Sequence, residues 1–461
     1  MRDLIELMKS DGCSPGVKQD LGIHEILLGE NTLPELPALL GRLVAAGVWK
    51  KGPIAVLCDA NTRRAAGEPV AAALSRGGYE YAFCELSAEH EGDLVPDERA
   101  IGAALVAVHA EVTLLISVGS GTITDLTRYV AFRLHLPFVA IPTAASVDGF
   151  TSSVAPLILG GIKTTVETAA PAAVLADSTI LAAAPSRLLG AGIGDLAGKL
   201  TARADWFVAE LINGEGRCSY IIELVASYVR KILQLDQTKA ATIAGAEALF
   251  EGLVVSGLGI TLVHSSRPAS GAEHHISHFL EMQHERGNAP RLYHGESVAV
   301  GTYLVSTLYH KFVSRPFAEI RAAVEAAIAE GADKASARIA QREVLLRRLF
   351  GESGDPLVER LHQSQPTAER RRLVLQKLEA GWDALRGEVV AHLPAGKAVA
   401  ESFARTGVAY DPVAIGISKE ILHAAVLCAK EVRPRYSLLA LLDDLGMLDA
   451  EAAAVVQAVG Y

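Results

Sequence analysis

The sequence predicts an α/β domain built on a parallel sheet, followed by an all-helical domain. Three observations carry this. Short β-rich runs alternate with Ala-rich stretches up to about residue 185; beyond it the β-rich runs stop and apolar residues recur at helical spacing. The chain has 461 residues, half of them hydrophobic, which is too much for one core and suits two domains, 1–184 and 185–461.

The β-rich runs are "GPIAVLCDANT", "GYEYAFCEL", "VTLLISVGSGT", "LPFVAIPTAAS" and "AAVLADSTI", each bounded by turn-forming residues. From "APSRLLGAGIGDLAGKL" onward the pattern is helical. Between about Lys311 and Ala404 a charged stretch alternates Glu, Arg and Lys with Ala and Leu, and reads as an exposed helical insertion with solvated faces. The net charge of −10 argues against nucleic acid or an anionic membrane as partner. Cys13, Cys58, Cys84, Cys218 and Cys428 are odd in number, lack CxxC spacing and read as reduced thiols of a cytoplasmic protein. The first ten residues carry Asp, Glu and Lys where a signal peptide needs an apolar core, and apolar runs elsewhere are broken by charge or Gly, so neither secretion nor membrane insertion is expected.

In "LLISVGSGTITD" a strand pattern runs into Gly119, Ser120, Gly121, Thr122 and Ile123. Glycines there let backbone N–H groups approach a phosphate, but a plain strand-to-helix turn explains the motif equally well. Asp59, after "AVLC", either accepts from a nucleotide hydroxyl, which favours NAD(H) over NADP(H), or caps the next helix. "IPTAASVDGFTSS" places a second polar loop, with Asp148, at the C-terminal edge of the sheet.

The stretch "RPASGAEHHISHFLEMQHERGNAPRLYHGESVAVGT" holds His274, His275, His278, His284 and His294 among apolar residues. They are either satisfied core imidazoles or part of a metal site. Asp195 in "GAGIGDLAGK" is either a helix cap or, with two histidines, the third ligand of a catalytic metal with open positions.

Together "GSGTITD", "PTAASVDGFTSS", "GAGIGDLAGK", "SSRPASGAEHHISHFLE", "HGESVAVGT" and "RPRYSLLALLDDLGML" resemble, in order, the sn-glycerol-1-phosphate dehydrogenases. The resemblance is strongest to the bacterial branch of that family. These enzymes belong to the superfamily of metal-dependent dehydrogenases that includes glycerol dehydrogenase and dehydroquinate synthase. The resemblance implies a Rossmann-like NAD-binding domain and a dehydroquinate-synthase-like helical domain. It implies Asp195, His274 and His294 as metal ligands, and His278 and Asp148 as substrate contacts. Asp59, Gly119 to Ile123, Thr143, Ala144, Ala145, Ser146 and Ser152 match cofactor-contacting positions, whereas His275 and His284 match nothing and read as structural or surface residues. An alanine stands in "SGAEH" where many relatives carry serine.

The implied reaction is NAD(P)-dependent reduction of dihydroxyacetone phosphate to sn-glycerol 1-phosphate, in a cytoplasmic homodimer with nickel or zinc. A polyol dehydrogenase, a dehydroquinate-synthase-like lyase and a silent nucleotide-binding regulator are the alternatives. In an acidic protein, a phosphorylated substrate needs local positive charge. Lys163, Lys199 and Arg267 are the candidates, Arg267 foremost because it lies nearest the expected metal-ligand helix.

Overall fold

The computed structural model describes residues 21–87, 94–330 and 332–461. The chain folds as two compact units: the first joins the chain up to Leu196 with Cys218–Ser266, and the second joins Ala197–Arg217 with Arg267–Tyr461. The division falls elsewhere than the change from strands to helices near residue 185.

The first unit holds a six-stranded parallel sheet in the order β1-β8-β5-β4-β2-β3. Its strands are β1 (Glu25–Gly29), β2 (Ile54–Cys58), β3 (Tyr81–Glu85), β4 (Leu114–Gly119), β5 (Phe138–Pro142) and β8 (Ala173–Asp177). β2, β4, β5 and β8 are buried at every residue, which is why they read as unbroken apolar runs and not as alternating ones. Helices α1 (Leu36–Ala45), α2 (Glu68–Arg76), α3 (Glu98–Ala107) and α4 (Gly121–Leu134) connect the strands. An antiparallel hairpin, β6 (Val154–Leu159) with β7 (Ile162–Glu167), leaves the main sheet between β5 and β8. Leu39, Leu40, Leu43, Val56, Ile116, Val118, Val139 and Leu175 form one core on the α1 side.

After the sheet come α5 (Ser186–Ala197), α6 (Lys199–Asn213), α7 (Ser219–Leu233) and α8 (Ile243–Val263). α8 is long and apolar enough to cross a membrane, and 83% of its apolar window is buried inside the protein. The sequence reading missed it as a continuous apolar helix because Glu247 and Glu251 interrupt it near its start. It packs on α7 and on the turn Gly149–Thr151. There Thr151 Oγ1 donates to the Val254 carbonyl at 2.9 Å, and Thr261 Oγ1 to the Thr151 carbonyl at 3.0 Å.

The second unit is helical: α6, α9 (Ala272–His284), α10 (His294–Val313), α11 (Phe317–Ala329), α12 (Ala332–Phe350), α13 (Asp355–Gln363), α14 (Ala368–His392) and α15 (Gly396–Thr406), then shorter helices to Ala458. The charged stretch 311–404 therefore falls on the end of α10 and on α11 to α15. Ile320, Val324, Leu346, Val374, Leu378 and Leu385 are buried there while Val344 and Val390 are exposed. Cys58, Cys84 and Cys428 are free and buried. Cys218 is disulfide-bonded, which corrects the expectation of reduced thiols at that position; Cys13 lies outside the described residues.

A β-carbon at Gly192 would overlap the Ala145 carbonyl oxygen, so glycine lets α5 lie against the loop after β5. Gly192→Ala should destabilise the protein by about 1–3 kcal/mol, the usual cost of overpacking. Urea denaturation checks this, and an unchanged midpoint would contradict the close approach.

Candidate metal and nucleotide sites

In the first unit, the loops after β2, β4 and β5 leave the C-terminal ends of three adjacent parallel strands, where open α/β sheets take their ligands. The loops carry Asp59, Ser120 to Ile123, and Thr143 to Ser146 respectively. Ser120 is the N-cap of the 14-residue α4, and its hydroxyl lies 3.1 Å from that of Ser146. Gly121 and Thr122 are partly exposed at the helix start. A β-carbon at Gly119 would overlap the Ile123 side chain, so that glycine serves strand–helix packing. Thr143, Ala144, Ala145, Ser146 and Ser152 are buried. Asp59 Oδ1 accepts from the Asn61 and Thr62 amides, both at 2.8 Å, in a capping box with Thr62.

Asp148 and Asp195 are arranged together in the same unit. The Asp148 amide donates to Asp195 Oδ2 at 2.9 Å, and Asp148 Oδ2 accepts from Ser256 of α8 at 2.8 Å. Asp195 is fully buried. Glycine at 257 is required because a β-carbon would overlap the Asp148 carbonyl. Beneath the loop, the fully buried Arg128 pairs with Asp125 and donates to the carbonyls of Gly149 and Val154. Burial pushes the Asp125 carboxyl up to about 6 despite Arg128.

In the second unit, α9 and α10 bring three imidazoles together. The ring centroids of His274 and His294 are 5.3 Å apart, those of His278 and His294 5.9 Å, and those of His274 and His278 6.2 Å. His274 and His278 share a face of α9 because they are four residues apart. Glycine at 301 lets α10 approach, since a β-carbon there would overlap the Glu273 backbone. His274 Nδ1 lies 2.7 Å from Glu273 Oε1, and His294 Nδ1 lies 2.6 Å from Glu281 Oε1. Each carboxylate is placed to accept a hydrogen bond from Nδ1–H, the tautomer that leaves the Nε2 lone pair available, as metal-bound imidazoles require. A divalent metal fits this donor set. Glu281 also accepts from Ser277 and Ser297, both at 3.0 Å.

Sequence reasoning missed Glu273, Glu281 and the acid beneath them, Asp205. Asp205 accepts from Tyr309 at 2.6 Å, the Ala272 amide at 2.5 Å and the Leu438 amide at 2.7 Å. Burial, with the nearby Glu273 carboxylate, pushes its carboxyl up to about 7. His275 is fully buried and neither ring nitrogen has a hydrogen-bond partner; burial and nearby arginines hold its pKa well below the usual value. His284 bonds the Ala289 carbonyl at 3.2 Å, where α9 ends. Among the expected phosphate contacts, Lys199 is buried and Lys163 partly exposed. Arg267 is tied to Glu215 and to the Tyr436 carbonyl.

Two outcomes follow. Glu281→Gln should weaken metal binding about 10- to 100-fold, the usual cost of losing a carboxylate behind a histidine ligand, measured by competition with a chelator. The Asp205 carboxyl is raised from 3.8 to about 7, so its contribution to stability is whole below pH 3.8 and is lost as pH rises through 7. The stability of the wild type relative to Asp205→Asn should therefore fall over that window in urea titrations; a rise would contradict the assignment.

A model of the iron-containing alcohol dehydrogenase family matches residues 27–185. A glycerol-1-phosphate dehydrogenase of Bacillus licheniformis is 38% identical over 318 residues, 68% of this chain and 78% of that protein. The corresponding protein of Methanosarcina barkeri is 33% identical over 289 residues, 62% of this chain and 76% of its own. The crystal structure of an archaeal halo-thermophilic alcohol dehydrogenase from a Red Sea brine pool superposes with a TM-score of 0.59 at 12% identity, covering 97% of this chain and all of that one; it shows the shared fold. With that sequence identity over most of the relative's length, the chain belongs to the glycerol-1-phosphate dehydrogenase family.

Proposed function

We propose that this protein interconverts dihydroxyacetone phosphate and sn-glycerol 1-phosphate by hydride transfer with NAD(H), using one divalent metal held by Asp195, His274 and His294. NAD(P) and a divalent metal fit the family, as does a phosphorylated small molecule. The observation that carries the reading is the pair of imidazoles whose Nδ1 atoms are held by Glu273 and Glu281. A pair of merely structural core histidines has no need of two oriented carboxylates. When bound, the metal supplies Lewis acidity at the ketone oxygen and the nicotinamide supplies the hydride.

The protein's own groups do the positioning. The Asp148 amide orients the Asp195 carboxylate. His278 and Asp148 donate to or accept from the substrate hydroxyls and relay the proton that the nascent alkoxide takes up. Ser120 to Ile123, Thr143 to Ser146 and Ser152 receive the dinucleotide, with Gly119 setting the turn. The second Asp59 oxygen meets the adenosine ribose, favouring NAD(H) over NADP(H). One carboxylate and two imidazoles suit zinc, nickel or ferrous iron; the resemblance to the bacterial branch favours nickel, with zinc next. The homodimer rests on the family resemblance, and the cytoplasmic placement on the scattered cysteines.

His274→Ala and His294→Ala should each lose bound metal and NADH oxidation, while His284→Ala keeps both; elemental analysis and a turnover assay check this. Wild-type protein should oxidise NADH with dihydroxyacetone phosphate far faster than with dihydroxyacetone. Equal rates would replace the assignment with a polyol dehydrogenase. Asp59→Gly should narrow the preference for NADH over NADPH.

A further inference from the structure

Among the described residues, the segment 433–437 holds positive charge that the protein does not neutralise. Arg267, its neighbour, is satisfied by Glu215 and the Tyr436 carbonyl, both at 2.7 Å. Arg433 has one hydrogen-bond partner, the neutral hydroxyl of Ser270 at 3.2 Å. Arg435 Nη1 is buried with no hydrogen-bond partner, and so is the Ser437 hydroxyl. The Arg435 amide donates to the Arg433 carbonyl at 2.8 Å, which folds the segment tightly between the two residues. The one carboxylate whose field reaches Arg435 is Glu215, and Arg267 already holds it.

Arg433 and Arg435 are half-buried beside each other, with no carboxylate among the described residues bonded to either; such an arrangement is costly, and an anion would complete it. The cost is visible in their basicity: burial, with repulsion among the three arginines, lowers Arg433 to about 10 and Arg435 to about 9. The cluster also has a defined neighbour. Ser270 stands two residues before α9, and the fully buried, unpartnered His275 of α9 lies in the field of Arg433, Arg435 and Arg267. His275 adjoins His274 in the chain, so the cluster borders the helix that carries two of the three imidazoles.

We propose that Arg433 and Arg435, with the Ser437 hydroxyl, form the seat for the phosphate group of the substrate, in place of Arg267. The proposal rests on the functional reading above, since the substrate in that reading supplies the phosphate. Two guanidinium forks offer paired N–H donors to phosphate oxygens, which a lone lysine does not. The phosphate restores the missing negative charge, so unphosphorylated analogues leave the cluster uncompensated.

The test uses full-length, metal-loaded protein, with inorganic phosphate and dihydroxyacetone phosphate as probes of wild type, Arg433→Met, Arg435→Met and Arg435→Lys. Phosphate should bind wild type in calorimetric titration and raise its Tm. Arg433→Met and Arg435→Met should lose both effects and show a KM for dihydroxyacetone phosphate raised about 10- to 100-fold, the range for losing a charge-assisted hydrogen bond. Without phosphate, the Tm of Arg435→Met should equal or exceed that of wild type, because a half-buried charge with an unpartnered Nη1 has gone; Arg435→Lys should recover part of the phosphate binding. The proposal is overturned if both methionine variants bind phosphate and dihydroxyacetone phosphate as wild type does. It is also overturned if Arg435→Met loses Tm while keeping its full phosphate-induced shift. Should wild type use dihydroxyacetone as well as its phosphate, the functional reading fails. The inorganic phosphate titrations then still decide the seat: lost binding in the methionine variants supports it, and retained binding removes it.

Discussion

The second unit is organised around two carboxylates that water does not reach. Asp205 on α6 ties the start of α9 through the Ala272 amide, the middle of α10 through the Tyr309 hydroxyl, and the helix Leu438–Asp444 through the Leu438 amide. Beside it Glu273 holds the Gly271 amide at 2.6 Å, the Thr201 hydroxyl at 2.7 Å and the His274 ring. Burial raises the Asp205 carboxyl, and repulsion from the neighbouring Glu273 adds to it. The donors that converge on them offset part of that cost, and the same bonds set the position of the first imidazole. Stability and site geometry are therefore one network here, and substitutions in it will be felt in both.

The first unit uses a cation for the same purpose. Arg128 is fully buried under the loop of Asp148, and its donors hold the Gly149 and Val154 carbonyls while Asp125 balances its charge. α8 closes over the other side through Thr151, Thr261, Ser256 and the bare Cα of Gly257. Asp195 then takes its orientation from the Asp148 backbone. The aspartate is set by a loop that is itself clamped from two directions.

Much of this was legible in the sequence. Five of the six sheet strands announced themselves as apolar runs, and the helical spacing after residue 185 was plain. β1, "EILLG" at one edge of the sheet, was not read. Asp195, His274 and His294 were singled out because their motifs occur together in order. Their supports were harder to see. Glu281 reaches His294 across thirteen positions and two helices, and Asp205 reaches Leu438 across more than half the chain, so no local spacing reveals either. Arg267 was favoured for phosphate by its nearness in sequence, which carries no information about the Glu215 carboxylate that occupies it. Lys199, another candidate for phosphate, is buried, because α6 is covered nearly all round along its first two turns.

The interleaving of the two units bears on how the chain is made. Cys218–Ser266 belongs with the sheet, yet it follows Ala197–Arg217, which belongs with the helices. During synthesis from the N-terminus, the loop of Asp148 must wait for α8 before its second clamp exists, while α6 emerges before α8 and must wait for α9 and α10. The loop and α6 pass this interval with apolar surface still uncovered. A chain cut after the last strand would therefore lack part of its own first core, and neither unit can be obtained as one uninterrupted piece of the sequence.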